Sequence, residues 1–435
     1  VNKLYTIVSF AALLVLLTST AYAEKVEELS EITISGTQEQ STDSSLGSSS
    51  LGEASLASRR TTTSDSASLL QDVPGVSLYG AGGISSLPAI HGLADDRLRV
   101  QVDGMDLMTA CPNHMNSVLS YIDPTKVAKI TVFAGITPVS VGGDSIGGSI
   151  QVKSAPPEFA RDGENFIAKG QTGTFYRSNG NAYGYNYGAT LAGNWLNLTY
   201  SESSSQADDY KAGKNFKPYA QGKEGGQPIP GDIVASSAYT AATNRDLGVA
   251  LRYEGHVLQL NASEQRLDFE GFPNQRMDMT YNKNTLINLR YTGQYQWGDA
   301  EARLYFQDTR HKMDMGPDRY SYGTGMPMET KGKTKGAQLQ GNIILSERDV
   351  LRVGAEYLYY NLYDWWPPVG GSMGPNAFWN VDYGQREKTD SFVEWEAQWN
   401  PEWLSQVGVR SDIVRTNAGP VQGYDNGLAG VWGND

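Results

Sequence analysis

Two short stretches hold the residues best able to bind a ligand. Thr109-Ala110-Cys111-Pro112-Asn113-His114-Met115-Asn116 sets a thiol and a thioether four residues apart, and Thr309-Arg310-His311-Lys312-Met313-Asp314-Met315 sets an imidazole and a thioether two residues apart. Soft sulfur donors select Cu(I) over hard cations and imidazole also suits copper, so donors of these types discriminate between metals by ligand chemistry. Residues i and i+2 of an extended chain share a face, which turns His311 and Met313 the same way if they lie on a strand. The ten methionines fall in a few windows: Met105, Met108 and Met115; Met277 and Met279; Met313 and Met315; Met326 and Met328; Met373. Methionines gathered beside polar loops point to a ligand path, with an adaptable, sticky surface as the alternative. Cys111 is the single cysteine, so it has no partner for an internal disulfide.

Donors about 200 residues apart need a scaffold to bring them together, and the chain is patterned in sections. Lys3, the apolar run Leu4 to Leu17 and the small-residue site Ala21-Tyr22-Ala23 read as a signal peptide over 1–23, with the mature chain beginning near Glu24. The run is shorter than the ~20 residues of a spanning helix. Residues 24–65 are rich in Ser, Thr and Glu and read as a flexible tether. Its one β-prone island, Ile32-Thr33-Ile34-Ser35-Gly36, is of the kind that adds as a strand to a partner's sheet edge. Residues 66–157 have a mixed α/β texture, with short strands such as Arg99-Val100-Gln101-Val102 and Lys129-Ile130-Thr131-Val132, and read as a small globular domain.

From residue 158 onward the period changes to two. Ile287, Leu289, Tyr291, Tyr295 and Trp297 interleave with Asn288, Arg290, Thr292, Gln294 and Gln296, and the beat recurs at Leu196, Leu198 and Tyr200, at Ala302, Leu304 and Phe306, and at Val393, Trp395, Ala397 and Trp399. Such segments predict antiparallel strands. They often finish in Tyr or Trp, as the interfacial girdles of transmembrane barrels do, and a barrel keeps mean hydropathy low, here −0.42. Connections alternate between tight turns such as Trp297-Gly298-Asp299 and long Gly/Pro/Tyr-rich excursions over 201–245, 308–335 and 362–387. About eleven strands can be counted, against ~22 in plugged transporters. An open half-barrel leaves unpaired backbone edges in lipid, so 158–435 reads as the N-terminal part of a longer barrel. The net charge of −13 argues against a nucleic-acid partner and is compatible with drawing in cations.

These sections resemble a TonB-dependent receptor over essentially the whole chain. Ile32 to Gly36 resembles the TonB box, and Leu69-Leu70-Gln71-Asp72-Val73-Pro74-Gly75-Val76 the opening of the plug. Val100-Gln101-Val102-Asp103-Gly104 and Ser145-Ile146-Gly147-Gly148-Ser149-Ile150 complete the plug pattern, while Ile90-His91-Gly92 departs from the family's usual Ile-Arg-Gly. The resemblance implies an α+β plug domain inside an antiparallel transmembrane β-barrel of the bacterial outer membrane. It also implies energised import, in which TonB, with its inner-membrane energising complex, pulls the box (Ile32, Thr33, Ile34, Ser35, Gly36) and rearranges the plug.

C-x-x-x-M in the plug, H-x-M in the barrel and Gly271-Phe272-Pro273-Asn274-Gln275-Arg276-Met277-Asp278-Met279 are similar to the copper receptors of the OprC/NosA type. That similarity implies Cys111, Met115, His311 and Met313 as ligands to copper, Cu(I) in preference, arriving free or on a small carrier. His114 is then left to point elsewhere or to support the ligands. No organic cofactor and no enzymatic activity are expected: Gly143-Asp144-Ser145-Ile146-Gly147 has the G-x-S-x-G spacing, but β-prone residues follow where a nucleophile elbow needs a helix. The alternatives are a ferric-siderophore or other metal-chelate receptor of the same class and, in another class, a periplasmic copper-binding protein.

Overall fold

The computed structural model describes residues 47–420 except 144, 162, 216–222, 225–226, 229, 317–325 and 370–375. The expected signal peptide, the Ile32 to Gly36 island and Met373 lie outside the described residues.

The first compact part is built on a five-stranded sheet in the order Ser48–Leu51, Val127–Phe133, Gly148–Ser154, Leu98–Val102, Met105–Asp106. Leu98–Val102 lies parallel to Gly148–Ser154, and the other neighbours are antiparallel. Alternate residues of these strands (Val102, Ile130, Val132, Ile150, Val152) meet Leu56, Leu69 and Leu70 in one apolar core. The tether expected to run to residue 65 therefore ends sooner: Ser48–Leu51 is a sheet strand and Glu53–Arg60 a helix with Leu56 fully buried. A strand of serines offers no hydropathy period to read, because it is held by its backbone ladder to Val127–Phe133. After Gly147 the chain runs on as the strand Gly148–Ser154, so the G-x-S-x-G spacing does not open a helix.

The second part is a meander of long antiparallel strands, numbered here along the chain: β1 Ile167–Arg177, β2 Ala182–Ala192, β3 Leu196–Ala207, β4 Tyr239–Tyr253, β5 His256–Leu267, β6 Met277–Tyr295, β7 Gly298–Met315, β8 Met328–Ile344, β9 Asp349–Trp366, β10 Phe378–Asn400 and β11 Trp403–Asn417. Each pairs with its sequence neighbours, and the short strand Phe269–Glu270 bridges β4 and β6. The faces are inverted relative to a water-soluble sheet. On β7 Leu304 is 58% exposed while its neighbours Arg303 and Tyr305 are 5% exposed, as expected where the outer face meets lipid and the inner face a plug. Stacked Tyr295 and Trp297, with ring centroids 5.1 Å apart, mark the tight-turn end. Among the described residues no helix is long and apolar enough to cross a membrane.

The strands reach further than hydropathy predicts. Most of 308–335 belongs to β7 and β8, and parts of 201–245 and 362–387 belong to β3, β4, β9 and β10. In Thr330 to Lys335 the inward positions are Thr, Gly and Thr and the outward ones Lys, so the period of two persists in size and charge after the apolar beat has gone. The backbone ladder continues wherever both strands do.

Plug and barrel meet through a buried ionic network. Arg99 binds Asp106 within the plug and, at 2.6 Å, Glu356 of β9, and it donates to the carbonyls of Val141 and Gly142. Glu356 also pairs with Arg410 of β11, and Lys388 of β10 faces Asp106 at 3.6 Å. Removing one member leaves buried carboxylates undercompensated, at about 3–5 kcal/mol. Arg99→Met is therefore expected to raise amide hydrogen exchange across 98–106 and 138–152 while leaving β4 to β6 unchanged. Unchanged protection in those plug segments would show that the network does not hold the plug.

Candidate metal centre

The plug segment 107–117 carries Cys111 and Met115 and is fastened to the barrel by its backbone. Gln307 of β7 accepts from Met108 N–H and donates to Met108 C=O, both at 3.0 Å. Tyr360 of β9 donates to the Thr109 carbonyl at 2.9 Å. Between these two contacts Ala110 lies against Gly332 of β8, where even a Cβ would come within 3.1 Å of the Tyr360 hydroxyl and 3.4 Å of Ala110 Cβ. Within the segment, Thr109 Oγ1 donates to the Asn116 carbonyl and accepts from Cys111 N–H, closing a loop across its base. A turn in which His114 N–H donates to the Cys111 carbonyl at 2.9 Å then reverses the chain, with His114 in the left-handed region at φ 52°.

This folding buries Cys111 completely and leaves Met115 8% exposed. Burial pushes the Cys111 thiol up, while backbone N–H groups of Met115, Asn113 and Asn116 directed at the sulfur pull the other way. A thiol so placed stays protonated until a cation compensates it, and the ring of N–H donors is already oriented for the thiolate. His114 faces away toward Asp96, at 3.6 Å. Burial alone would lower its pKa, but the hydrogen bond and charge of Asp96 outweigh that and raise it.

The barrel side is organised by strand register. Met313 of β7 stands between Met279 of β6 and Met328 of β8, giving a row of three thioethers across adjacent strands, all buried. The Cys111 sulfur lies 4.0 Å from the Met313 sulfur. Cys111, Met115, Met277, Met279, Met313 and Met328 share one buried cluster, with Met315 and Met326 packed at its edge. His311 shares the inward face of β7 with Met313 and is 1% exposed, and neither ring nitrogen has a hydrogen-bond partner among the described residues. Buried polar atoms are nearly always partnered, so such an imidazole has room for a ligand, a metal or a water.

With metal–sulfur bonds of about 2.3 Å, two sulfurs 4.0 Å apart subtend roughly 120° at an ion between them, an angle suited to low-coordinate soft cations. Among the described residues no three His, Cys, Asp or Glu side chains gather as a metal group, and the donors beside Cys111 are thioethers. Of the four residues singled out by sequence, Cys111 and Met313 are in contact, Met115 joins their cluster, and His311 lies on Met313's face two residues along. Sequence reasoning passed over Met279 and Met328 as neighbours of Met313, and Gln307, Tyr360 and Gly332 as anchors. Only the pairs of methionines spaced by two at adjoining strand ends hinted at the thioether row.

Residues 40–149 match the family model described as the TonB-dependent receptor plug domain. No curated protein sequence matches the chain. Among solved structures, the chain is similar to the copper transporter OprC, with a TM-score of 0.70 and 20% identity over 82% of this chain and 53% of that one. It is similar to the FrpB iron transporter from Neisseria meningitidis (TM-score 0.64, 15% identity, 86% of this chain and 61% of that one). A third similar structure is the ferric enterobactin receptor PfeA from Pseudomonas aeruginosa (TM-score 0.60, 14% identity, 86% of this chain and 59% of that one). The chain thus spans between about half and three-fifths of the length of these structures. At such identities the likeness is one of fold. Residues 40–149 are thus a plug domain of the TonB-dependent receptor type, and the strands that follow have the fold of the outer-membrane barrels of such receptors.

Proposed function

We propose that this receptor imports copper, captured as Cu(I), through Cys111 and Met115 of the plug and His311 and Met313 of the barrel. The observation that carries this reading is the 4.0 Å approach of a plug thiol to a barrel thioether, sulfurs 202 positions apart, in a pocket of buried methionines. Thiolate, thioether and imidazole favour a soft copper ion over the hard or borderline cations abundant outside the cell. The thiol proton must leave when metal binds, so binding couples to proton release. The similarity to the copper transporter OprC lends support, while the iron and ferric-enterobactin neighbours have the same fold.

A ligand set divided between plug and barrel also supplies a release step. When TonB draws on the box at Ile32, Thr33, Ile34, Ser35 and Gly36, any displacement of segment 107–117 separates Cys111 and Met115 from His311 and Met313. The site is then dismantled by the motion that opens the path, and copper, free or on a small carrier, leaves toward the periplasm.

Competition binding on the purified protein with Cu(I), Cu(II), Zn(II) and a ferric chelate tests the assignment. Cu(I) is expected to win, and Cys111→Ser with Met115→Ala to weaken it at least 100-fold. Undiminished Cu(I) affinity in that double variant, or preferential binding of the ferric chelate, would overturn it. Copper accumulation in cells is expected to require residues 32–36, and uptake that survives their deletion would contradict the energised step. Gly332→Leu, which drives a side chain into Ala110 and Tyr360, is expected to weaken Cu(I) at least tenfold without touching a ligand. Wild-type affinity in Gly332→Leu would mean that the clamp does not position Cys111.

A further inference from the structure

Beside the thioether row runs a second row of a different character. Asn282 of β6 is in register with His311 of β7, His311 with Thr330 of β8, and Thr330 with Asp364 of β9. All four side chains face inward, with exposures of 0%, 1%, 2% and 3%. Each holds a buried polar atom without a hydrogen-bond partner among the described residues: Asn282 Oδ1, both His311 ring nitrogens, Thr330 Oγ1 and Asp364 Oδ1. Unpartnered buried polar groups cost about 1–3 kcal/mol each, and these four stand side by side on adjoining strands.

The donor and acceptor inventory states what fills it. A carboxylate oxygen and an amide oxygen only accept, a hydroxyl accepts as well as donates, and a neutral imidazole presents one accepting nitrogen. A metal ion carrying water supplies what this set lacks: a positive centre for the imidazole and many O–H donors for the oxygens. The row covers four strands spaced ~4.8 Å apart, too wide for one bare ion to be grasped by all four residues and suited to an ion that keeps part of its water shell. The carboxylate of Asp364 at one end of the row also compensates a cation's charge, which the sulfur cluster does only through Cys111.

We propose that Asn282, His311, Thr330 and Asp364 form a second, oxygen-lined subsite that holds a partly hydrated divalent cation. In it His311 bonds the metal and the three oxygen-bearing side chains bind its waters. The proposal deepens the copper reading and rests on it for His311. It gives the receptor two adjoining environments, a hard one for a hydrated divalent ion and a soft one for a dehydrated monovalent ion, with the imidazole between them.

Two redox-inert probes separate the subsites on the purified protein: Ni(II), which favours nitrogen and oxygen donors, and Ag(I), which favours sulfur. Wild-type protein is expected to bind both. Asp364→Asn and Thr330→Val, each close to isosteric, are expected to weaken Ni(II) at least tenfold and to change Ag(I) less than twofold. Cys111→Ser with Met313→Ala should do the reverse, and the heat-modifiable migration of folded barrels checks that every variant is folded. Failure of wild-type protein to bind Ni(II), leaving the row to ordered water alone, would overturn the proposal, as would equal loss of both ions in Asp364→Asn. Loss of Ni(II) in Asp364→Asn from a wild type that never binds Ag(I) would uphold the hydrated-ion subsite and overturn the soft-metal reading instead.

Discussion

Gln307 grips the backbone of Met108 at both its N–H and its carbonyl, and the geometry around Cys111 depends on that clamp. The amide is itself held from three sides: it donates to Asn284 and Thr309 and accepts from Thr334. A side chain so fixed cannot yield, so the plug segment adopts the barrel's register to within a hydrogen bond. Tyr360 and Gly332 continue the contact by one residue each, and Cys111 is the next residue out, delivered against Met313. The interaction is polar, buried and intermolecular in character although it joins two parts of one chain.

The barrel interior makes such contacts possible because its inner face is polar. Asn282, Asn284, Asn288, Arg303, Gln307 and Thr309 are all buried on β6 and β7. A sheet with apolar side chains facing lipid has to satisfy inward polar groups against something other than bulk water, and the plug supplies much of it: the Asp103 carbonyl takes Asn288 and Arg303, and the Ser120 carbonyl takes Gln265. The groups left over are informative for the same reason. Beside the sulfur cluster, Asn282, His311, Thr330 and Asp364 keep buried polar atoms that neither plug nor wall partners among the described residues.

Much of the architecture was legible in the sequence. The alternation at Ile287 to Trp297 and its repeats locates strands that the structure shows, because lipid and plug demand opposite polarity on successive residues. The reach of β7, β8 and β9 beyond that belt was not legible, since Thr, Gly and Lys alternate there in size and charge without alternating in hydropathy. The strand Ser48–Leu51 was missed for a related reason, its serines being chosen by a backbone ladder rather than by a buried face. At the candidate centre, residue chemistry drew attention to Cys111, Met115, His311 and Met313. The row Met279, Met313, Met328 and the row Asn282, His311, Thr330, Asp364 depend on hairpin register, in which the bulge between Met279 and Tyr281 shifts the pairing of β6 by one residue. Local patterns do not encode such a shift.

Copper K-edge X-ray absorption of the loaded protein, with Cu(I) supplied under reducing conditions, addresses the metal environment directly. A first shell dominated by sulfur with a single imidazole nitrogen is expected, with the sulfur contribution falling in Met313→Ala. A shell of oxygen and nitrogen alone, unchanged in that variant, would mean that copper rests elsewhere and that the sulfur cluster between plug and barrel is packing.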